Sequence, residues 1–213
     1  MLAVGRYLLV DVLRAQRALI PIVLYLVVLG VLFSGDHTAA PGPWVASVLA
    51  LYPAAAWVAL TVANTEDPDQ RAVTTAAAGG PGVVTAAVLG VALFVDVALA
   101  VVAVAVPAVT NPAGFPPAAL AVGALAHLAA AATGTAVGLV CARPVIGRIG
   151  WSFALSAAIV VVTAVQPWLP PVGSAARALT APNPGPAVVA HTLLGLALAA
   201  AAAIISWTAS RRG

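Results

Sequence analysis

Two ionisable residues lie deep inside apolar stretches of this chain. Asp96 lies in one of these stretches and His127 lies in the next, which is rich in alanine. A carboxylate at the centre of a membrane span costs about 2.5–3.5 kcal/mol on insertion scales, so such a residue usually faces protein or water. If the two stretches are antiparallel neighbours, Asp96 and His127 could meet at similar depth. The pair could then relay protons or act as a polar lock around a substrate path. The structural alternative is a protonated Asp96 bonded to a backbone carbonyl.

A second group of chemically active residues lies in the segment 64–82, between two other apolar stretches. Thr65 could cap a short helix whose first turn contains Pro68 and acidic residues. The Gly-Gly-Pro-Gly run at 79–82 would end that helix. We therefore predict a short polar helix here; the alternative is a solvated acidic loop. The charged residues of the segment are Glu66, Asp67, Asp69 and Arg71.

Composition places these residues in a membrane protein. The 213-residue chain is 63% hydrophobic and 7% charged, whereas a soluble domain has about 25% charged residues. Its mean hydropathy is +1.10. The formal net charge is only +3 and no basic cluster occurs, so a nucleic-acid partner is not expected. The single cysteine, Cys141, excludes a disulfide framework and a cysteine-based metal cluster. We expect one membrane domain, 1–213, in contact with lipid.

Apolar segments of suitable length predict an all-α, polytopic fold with six transmembrane helices. A bilayer core of about 30 Å needs roughly 20 residues of helix. Strands of a membrane barrel would alternate polar and apolar residues, and these segments do not. The predicted spans are approximately 18–34, 44–63, 83–109, 117–140, 149–166 and 187–208.

The arginines orient these spans. All nine cationic residues are arginine, and eight of them lie in alternate hydrophilic segments. By the positive-inside rule those segments are cytoplasmic, which places both termini inside. Segment 1–17 has arginines on one helical face and apolar residues on another, which predicts an interfacial amphipathic helix; the alternative is a simple cytoplasmic extension of the first span. The eight are Arg6, Arg14, Arg17, Arg71, Arg143, Arg148, Arg211 and Arg212; Arg177 is the exception.

Three further features concern packing and the outer surface. Gly134 and Gly138 form a GxxxG pair on the same face as His127, which permits close approach of another helix. Most of the five tryptophans lie near span ends and are expected to be interfacial anchors, but Trp57 is deeper and could line a cavity. The external segment 167–186 is long and mostly apolar. It resembles a re-entrant segment, and its alternative is an ordinary proline-rich loop.

The whole pattern resembles the ABC-2 type transporter permeases. The features that carry the resemblance are the inner-surface N-terminal helix, six spans with both ends inside, and the polar helix between spans two and three. In that family this helix couples the permease to an ATP-binding subunit. The resemblance implies that Glu66, Asp67, Asp69 and Arg71 are ATPase-coupling residues.

The resemblance also implies the partners of this chain. No GxxxxGK[ST] phosphate loop is present, so the chain is not expected to be an enzyme, and ATP and Mg would bind a separate subunit in two copies. A second permease copy or paralogue would complete a dimer in the bacterial cytoplasmic (inner) membrane. The expected activity is export of an amphipathic or hydrophobic substrate. The alternatives are a proton-coupled secondary transporter using Asp96 and His127, and a non-transporting anchoring subunit.

Overall fold

The protein is all-helical throughout the part of the chain that the structure describes. The computed structural model describes residues 1–34, 40–166 and 168–211, and no strand occurs in these ranges. The prediction of an all-α fold is therefore confirmed. A 3₁₀ turn at Pro112–Gly114 separates the fifth and sixth helices. The helices are α1 Leu2–Ala15, α2 Leu19–Phe33, α3 Gly42–Ala63, α4 Pro68–Ala78, α5 Pro81–Thr110, α6 Pro117–Cys141, α7 Ile149–Val165, α8 Val172–Ala178 and α9 Gly185–Ser210.

Several of these helices are long and apolar enough to cross a membrane. Helices α3, α5, α6 and α9 each meet this condition separately, and α1 with α2 meets it as a pair bent by 76°. The described residues therefore contain four or five candidate spans, which supports a multi-pass membrane protein. Each of the six predicted spans corresponds to a helix. However, α2 and α7 have only 15 and 17 residues, or about 23 and 26 Å of helix.

Helix α1 is amphipathic and packs along the side of α5. Its buried side chains are Leu8 and Val12, which join an apolar cluster that includes Val88 and Val91 of α5. Arg6 and Arg14 are exposed on the other face. The chain turns sharply after α1 at Gln16, which has a left-handed backbone conformation. Helix α1 therefore packs one apolar face on the bundle and carries arginines on the opposite face.

Helix α6 is the centre of the bundle, with α3 packed on one side and α9 on the other. Small residues make this close packing feasible, because they allow backbones to approach without displacing side chains. The segment 129–132 of α6 consists of four alanines, all of them fully buried. The outer helices, by contrast, expose leucine, isoleucine and valine side chains, as a lipid-facing surface requires.

The two short helices lie at opposite ends of the bundle. Helix α4 connects the C-terminus of α3 to the N-terminus of α5, whereas α8 precedes the N-terminus of α9. Helix α8 lies within the segment where a re-entrant element is expected, and it packs against α3, α6, α7 and α9 through buried Val172 and Ala176. Residue 167, the first of that segment, lies outside the described residues, as does Arg212.

Candidate functional site

Helix α4 has well-defined sequence signals at both ends. The Asp67 side chain is its N-cap and accepts a hydrogen bond from the backbone N–H of Gln70 at 2.7 Å. Pro68 follows at the first helical position, where its missing N–H is harmless. The helix ends at Gly79 and Gly80, whose φ angles of +84° and +136° favour glycine.

The cap is Asp67 and not Thr65, which corrects the sequence-based prediction. Thr65 Oγ1 instead donates a hydrogen bond to the Thr61 carbonyl at 2.8 Å. Helix α3 extends to Ala63, so the Thr65 hydroxyl lies beside the Thr61 carbonyl in the last turn of that helix. Such local side-chain bonds to the backbone compete directly with N-capping.

Two of the predicted coupling residues face the bundle rather than the surface. Glu66 is only 2% exposed, and its Oε1 accepts a hydrogen bond from Thr74 Oγ1. Its Oε2 is also buried, and no hydrogen-bond partner for it occurs within the described part of the chain. Arg71 is half-buried and donates a hydrogen bond to the Ala63 carbonyl at 3.1 Å. Burial lowers the pKa of Arg71, while the nearby Glu66 charge acts in the opposite direction. The Glu66 carboxylate therefore lies on the cleft side of the segment and is absent from the exposed face of α4.

The outward face of α4 combines acidic and small apolar side chains. Asp67 and Asp69 are exposed, and Val73 is 70% exposed. No residue of α4 itself is buried. Gln70 connects α4 to α1, because its Nε2 donates a hydrogen bond to Tyr7 Oη at 2.6 Å. Asp69 and Ala77, one helical turn before and after Val73, are also exposed.

A cleft of about 800 Å³ separates the inward face of α4 from the loop between α6 and α7. Its remaining walls are the start of α5 and the last residues of α9. The Asn64 side chain braces this region, because its Oδ1 accepts a hydrogen bond from the backbone N–H of Arg143 at 3.2 Å. The charged residues that line the cleft are Glu66, Arg71 and Arg143.

Asp96 is fully buried in α5 and is bonded to α6. Thr135 Oγ1 donates a hydrogen bond to Asp96 Oδ2 at 2.8 Å. The other carboxyl oxygen, Oδ1, is buried without a partner among the described residues. An unsatisfied buried polar atom is unfavourable by roughly 1–3 kcal/mol. Asp96 therefore joins α5 to α6 through one hydrogen bond and keeps one unsatisfied carboxyl oxygen.

His127 is fully buried on the opposite side of this contact, towards α3. Its Nε2 lies 2.9 Å from Ser47 Oγ, and its Nδ1 lies 2.7 Å from the Gly123 carbonyl. Because a carbonyl only accepts, Nδ1 carries a proton and donates it to Gly123, while Nε2 is paired with the Ser47 hydroxyl. Both ring nitrogens therefore have a hydrogen-bond partner.

The structure does not bring Asp96 and His127 together. Thr135, the partner of Asp96, lies eight residues beyond His127 on α6, a distance of about 12 Å along the helix. Each ionisable group is bonded to a hydroxyl group of its own. Asp96 and His127 therefore do not meet at similar depth, because the bond to Thr135 places Asp96 about two helical turns along α6 from His127.

Gly134 and Gly138 lie where α6 crosses α3. A Cβ added at Gly134 would lie 2.6 Å from the Tyr52 carbonyl oxygen, and one at Gly138 would lie 2.5 Å from that of Ala56. Real Cβ contacts are essentially never this short. Both positions therefore require glycine for the observed separation of the two backbones.

Among the tryptophans, Trp44 is the one that sequence analysis missed. It is 1% exposed, it contacts Phe115 edge-on at 4.8 Å, and its Nε1 donates to the Ala103 carbonyl at 3.4 Å. Trp57 is half-buried and lines a small cavity of about 190 Å³ between α3 and α7, next to Phe153. The sequence feature that accompanies the burial of Trp44 is Gly123 in α6, where an added Cβ would lie 2.8 Å from the Trp44 ring. Spacing along the sequence does not show which of the glycines in α6 faces a residue of α3.

Removing the Thr135 hydroxyl is expected to destabilise the bundle. In Thr135→Val, Asp96 loses its one donor, and the free energy of unfolding should fall by about 1–3 kcal/mol. The matched control is Thr85→Val, since Thr85 Oγ1 is buried without a partner and its removal should be neutral or stabilising. The free energies of unfolding of the two variants are measured by titration with a denaturing detergent, with helical content monitored by circular dichroism. Equal effects of the two substitutions would contradict this assignment.

No family model, curated protein or solved structure matches this chain. Within residues 1–34, 40–166 and 168–211, no group of three or more metal-ligating side chains occurs. The features of the described residues that bear on function are helix α4, the cleft behind it and the buried polar contacts of Asp96 and His127.

Proposed function

We propose that this protein is the membrane-spanning permease subunit of an ABC-2 type exporter. Helix α4 carries the proposal. It is a capped, eleven-residue helix between two candidate spans, and one of its faces is exposed and acidic with an apolar centre. An ATP-binding subunit that docks on this face would act on α3 and α5 at once, because α4 is joined to both by short connections.

The proposed topology has six spans with both termini in the cytoplasm. Helices α2 and α7 would be the two short spans, and the bilayer can thin locally around a short span. Seven described arginines lie in the segments that this topology places inside. Helix α4 and its cleft lie at this arginine-rich end, where a cytoplasmic ATPase could reach them.

The partners follow from the same proposal. Two ATP-binding subunits would hold ATP and Mg, and a second permease copy or paralogue would complete the transport path. The proposed cargo is an amphipathic or hydrophobic molecule, since most buried side chains of the bundle are apolar and the two ionisable groups inside it are each paired with a hydroxyl group. The cytoplasmic (inner) membrane of a bacterium is the proposed location.

A proton-coupled transporter is the second candidate, and the orphaned Oδ1 of Asp96 is the observation in its favour. It is the weaker candidate because a relay needs a second group within hydrogen-bond reach. His127 is not bonded to Asp96 and already has a bond at each ring nitrogen. Flux that depends on a pH gradient without any ATPase would favour this alternative.

Charge reversal on the outward face of α4 tests the exporter proposal. The double variant Asp69→Arg, Val73→Arg is expected to reduce co-purification of an ATP-hydrolysing subunit at least about tenfold, because rim charges and a central apolar contact are both lost. ATP-dependent efflux of an amphipathic dye from vesicles should fall in parallel.

Arg148→Glu is the matched control, since Arg148 is exposed at the same end but lies outside α4. It should retain both the partner and the efflux. Helical content by circular dichroism shows that each variant is folded. The proposal fails if the native chain recruits no ATP-hydrolysing subunit, or if the α4 double variant remains fully coupled.

A further inference from the structure

The cleft behind α4 carries an unusual combination of charges. It is lined by two arginines and by one carboxylate whose Oε2 is buried and unbonded. Among the described residues, the Arg143 guanidinium makes no hydrogen bond, and that of Arg71 makes a single one, to the Ala63 carbonyl. A guanidinium has five N–H donors, so most of the donor capacity of this cleft is unused.

The free groups are complementary to a ligand that carries both signs of charge. Unused guanidinium donors match a phosphate, for which arginine is the preferred partner. The orphaned Glu66 Oε2 needs a donor, and a primary ammonium group supplies a charge-assisted one. A phosphate joined to a primary amine by a short linker would satisfy both halves of the site.

The position of the cleft indicates where that ligand comes from. Its walls are the first turn of α5 and the last residues of α9, so it lies where apolar helices end. Beside it, the Arg211 guanidinium lies 5.1 Å from the centre of the Trp207 ring, and such aromatic and cationic residues are enriched at membrane interfaces. Alanine and proline side chains also line the cleft, and they provide an apolar surface for the part of a lipid where the acyl chains begin.

We propose that this cleft binds the headgroup of an aminophospholipid of the phosphatidylethanolamine type. Arg71 and Arg143 hold the phosphate, and Glu66 accepts a hydrogen bond from the ammonium group. A volume of about 800 Å³ is within the range of about 300–1,000 Å³ that small-molecule sites occupy. The site requires the arginine-rich end to face a leaflet that contains this lipid, but it does not require an ATPase. Its occupancy would brace the inward face of α4 against the α6–α7 loop.

Native mass spectrometry of the purified full-length chain tests this assignment. The protein is delipidated in mild detergent and offered phosphatidylethanolamine, phosphatidylcholine and phosphatidylglycerol with identical acyl chains. We expect phosphatidylethanolamine to bind about threefold to tenfold more tightly than phosphatidylcholine, whose quaternary ammonium cannot donate a hydrogen bond. Inorganic phosphate at millimolar concentration is added in a separate arm and should not displace the lipid.

Three variants separate the roles of the lining residues. Glu66→Gln should abolish the preference between the two zwitterionic lipids, while its side-chain oxygen still accepts from Thr74. Arg143→Gln should weaken all three lipids several-fold, because its backbone bond to Asn64 is retained and only the guanidinium is lost. Arg148→Gln, in the same loop but outside the cleft, should change nothing.

Equal binding of phosphatidylethanolamine and phosphatidylcholine to the native chain would overturn the proposal. Tighter binding of phosphatidylglycerol than of phosphatidylethanolamine would contradict the proposed contact between Glu66 and the ammonium group. Displacement of the bound lipid by inorganic phosphate would show that the cleft binds anions in general. An equal loss in Arg148→Gln and Arg143→Gln would indicate nonspecific attraction. Because no ATPase enters the assay, failure of the exporter proposal leaves these results unchanged.

Discussion

Replacing Gly138 by valine is expected to destabilise the bundle by more than about 3 kcal/mol. The first added carbon would already lie 2.5 Å from the Ala56 carbonyl oxygen and 2.6 Å from the Ala59 Cβ. Backbone atoms cannot rotate away as a flexible side chain can, so α6 and α3 would have to separate. Their separation would also strain the Ser47 bond to His127, which spans the same interface.

The control for Gly138→Val is Gly90→Ala in α5. Gly90 is exposed, and an added Cβ there would meet no atom within 4 Å. This substitution should be neutral or slightly stabilising, since alanine favours helix over glycine by about 1 kcal/mol. Detergent unfolding monitored by circular dichroism compares the two. If Gly138→Val were as stable as the native chain, the close α3–α6 contact would be disproved.

Truncation of Trp44 to alanine should lower the free energy of unfolding by about 3–5 kcal/mol. The indole joins three helices: it lies in α3, its ring contacts the backbone of Gly123 in α6, and its N–H bonds to α5. Its removal would leave a large cavity beside an apolar cluster. Trp44→Phe keeps most of the packing and should cost less, since the main further loss is one hydrogen bond of about 1 kcal/mol.

Trp151 provides the matched control for Trp44. It lies in α7 and is 60% exposed, so Trp151→Ala should change stability by no more than about 0.5 kcal/mol. Thermal unfolding in lipid discs, followed by light scattering and by circular dichroism, measures both variants. A similar loss for the two tryptophans would show that Trp44 is only an interfacial anchor.

These two predictions locate the rigid part of the proposed exporter. Helices α3 and α6 are held together by glycines and by buried polar contacts, so they would move as one body. Helix α4 is attached to α3 on one side and to α5 on the other. In the proposed mechanism, force on α4 would shift α5 relative to the α3–α6 pair, and the Asp96–Thr135 bond lies on that boundary.

Much of the architecture was predictable from the sequence because the bilayer imposes simple rules. Long apolar segments predicted a helix at each of six places, and a helix is found at each of them. Local signals were equally informative at α4, where Pro68 and the glycines at 79–80 mark its two ends. The cap was assigned to the wrong residue because Thr65 and Asp67 both suit that role, and only the length of α3 decides between them.

The sequence by itself determined the all-helical, multi-pass character of the chain, the positions of the helices and the segment that carries clustered charge, because these depend on composition and local periodicity. Only the tertiary structure decided which charged groups are buried and with what they are paired. It turned Glu66 inward, separated Asp96 from His127 and buried Trp44 against Gly123. The physical reason is that these outcomes depend on the stagger and rotation of one helix against another. Those quantities are determined by side-chain packing across the whole bundle, which no single segment encodes.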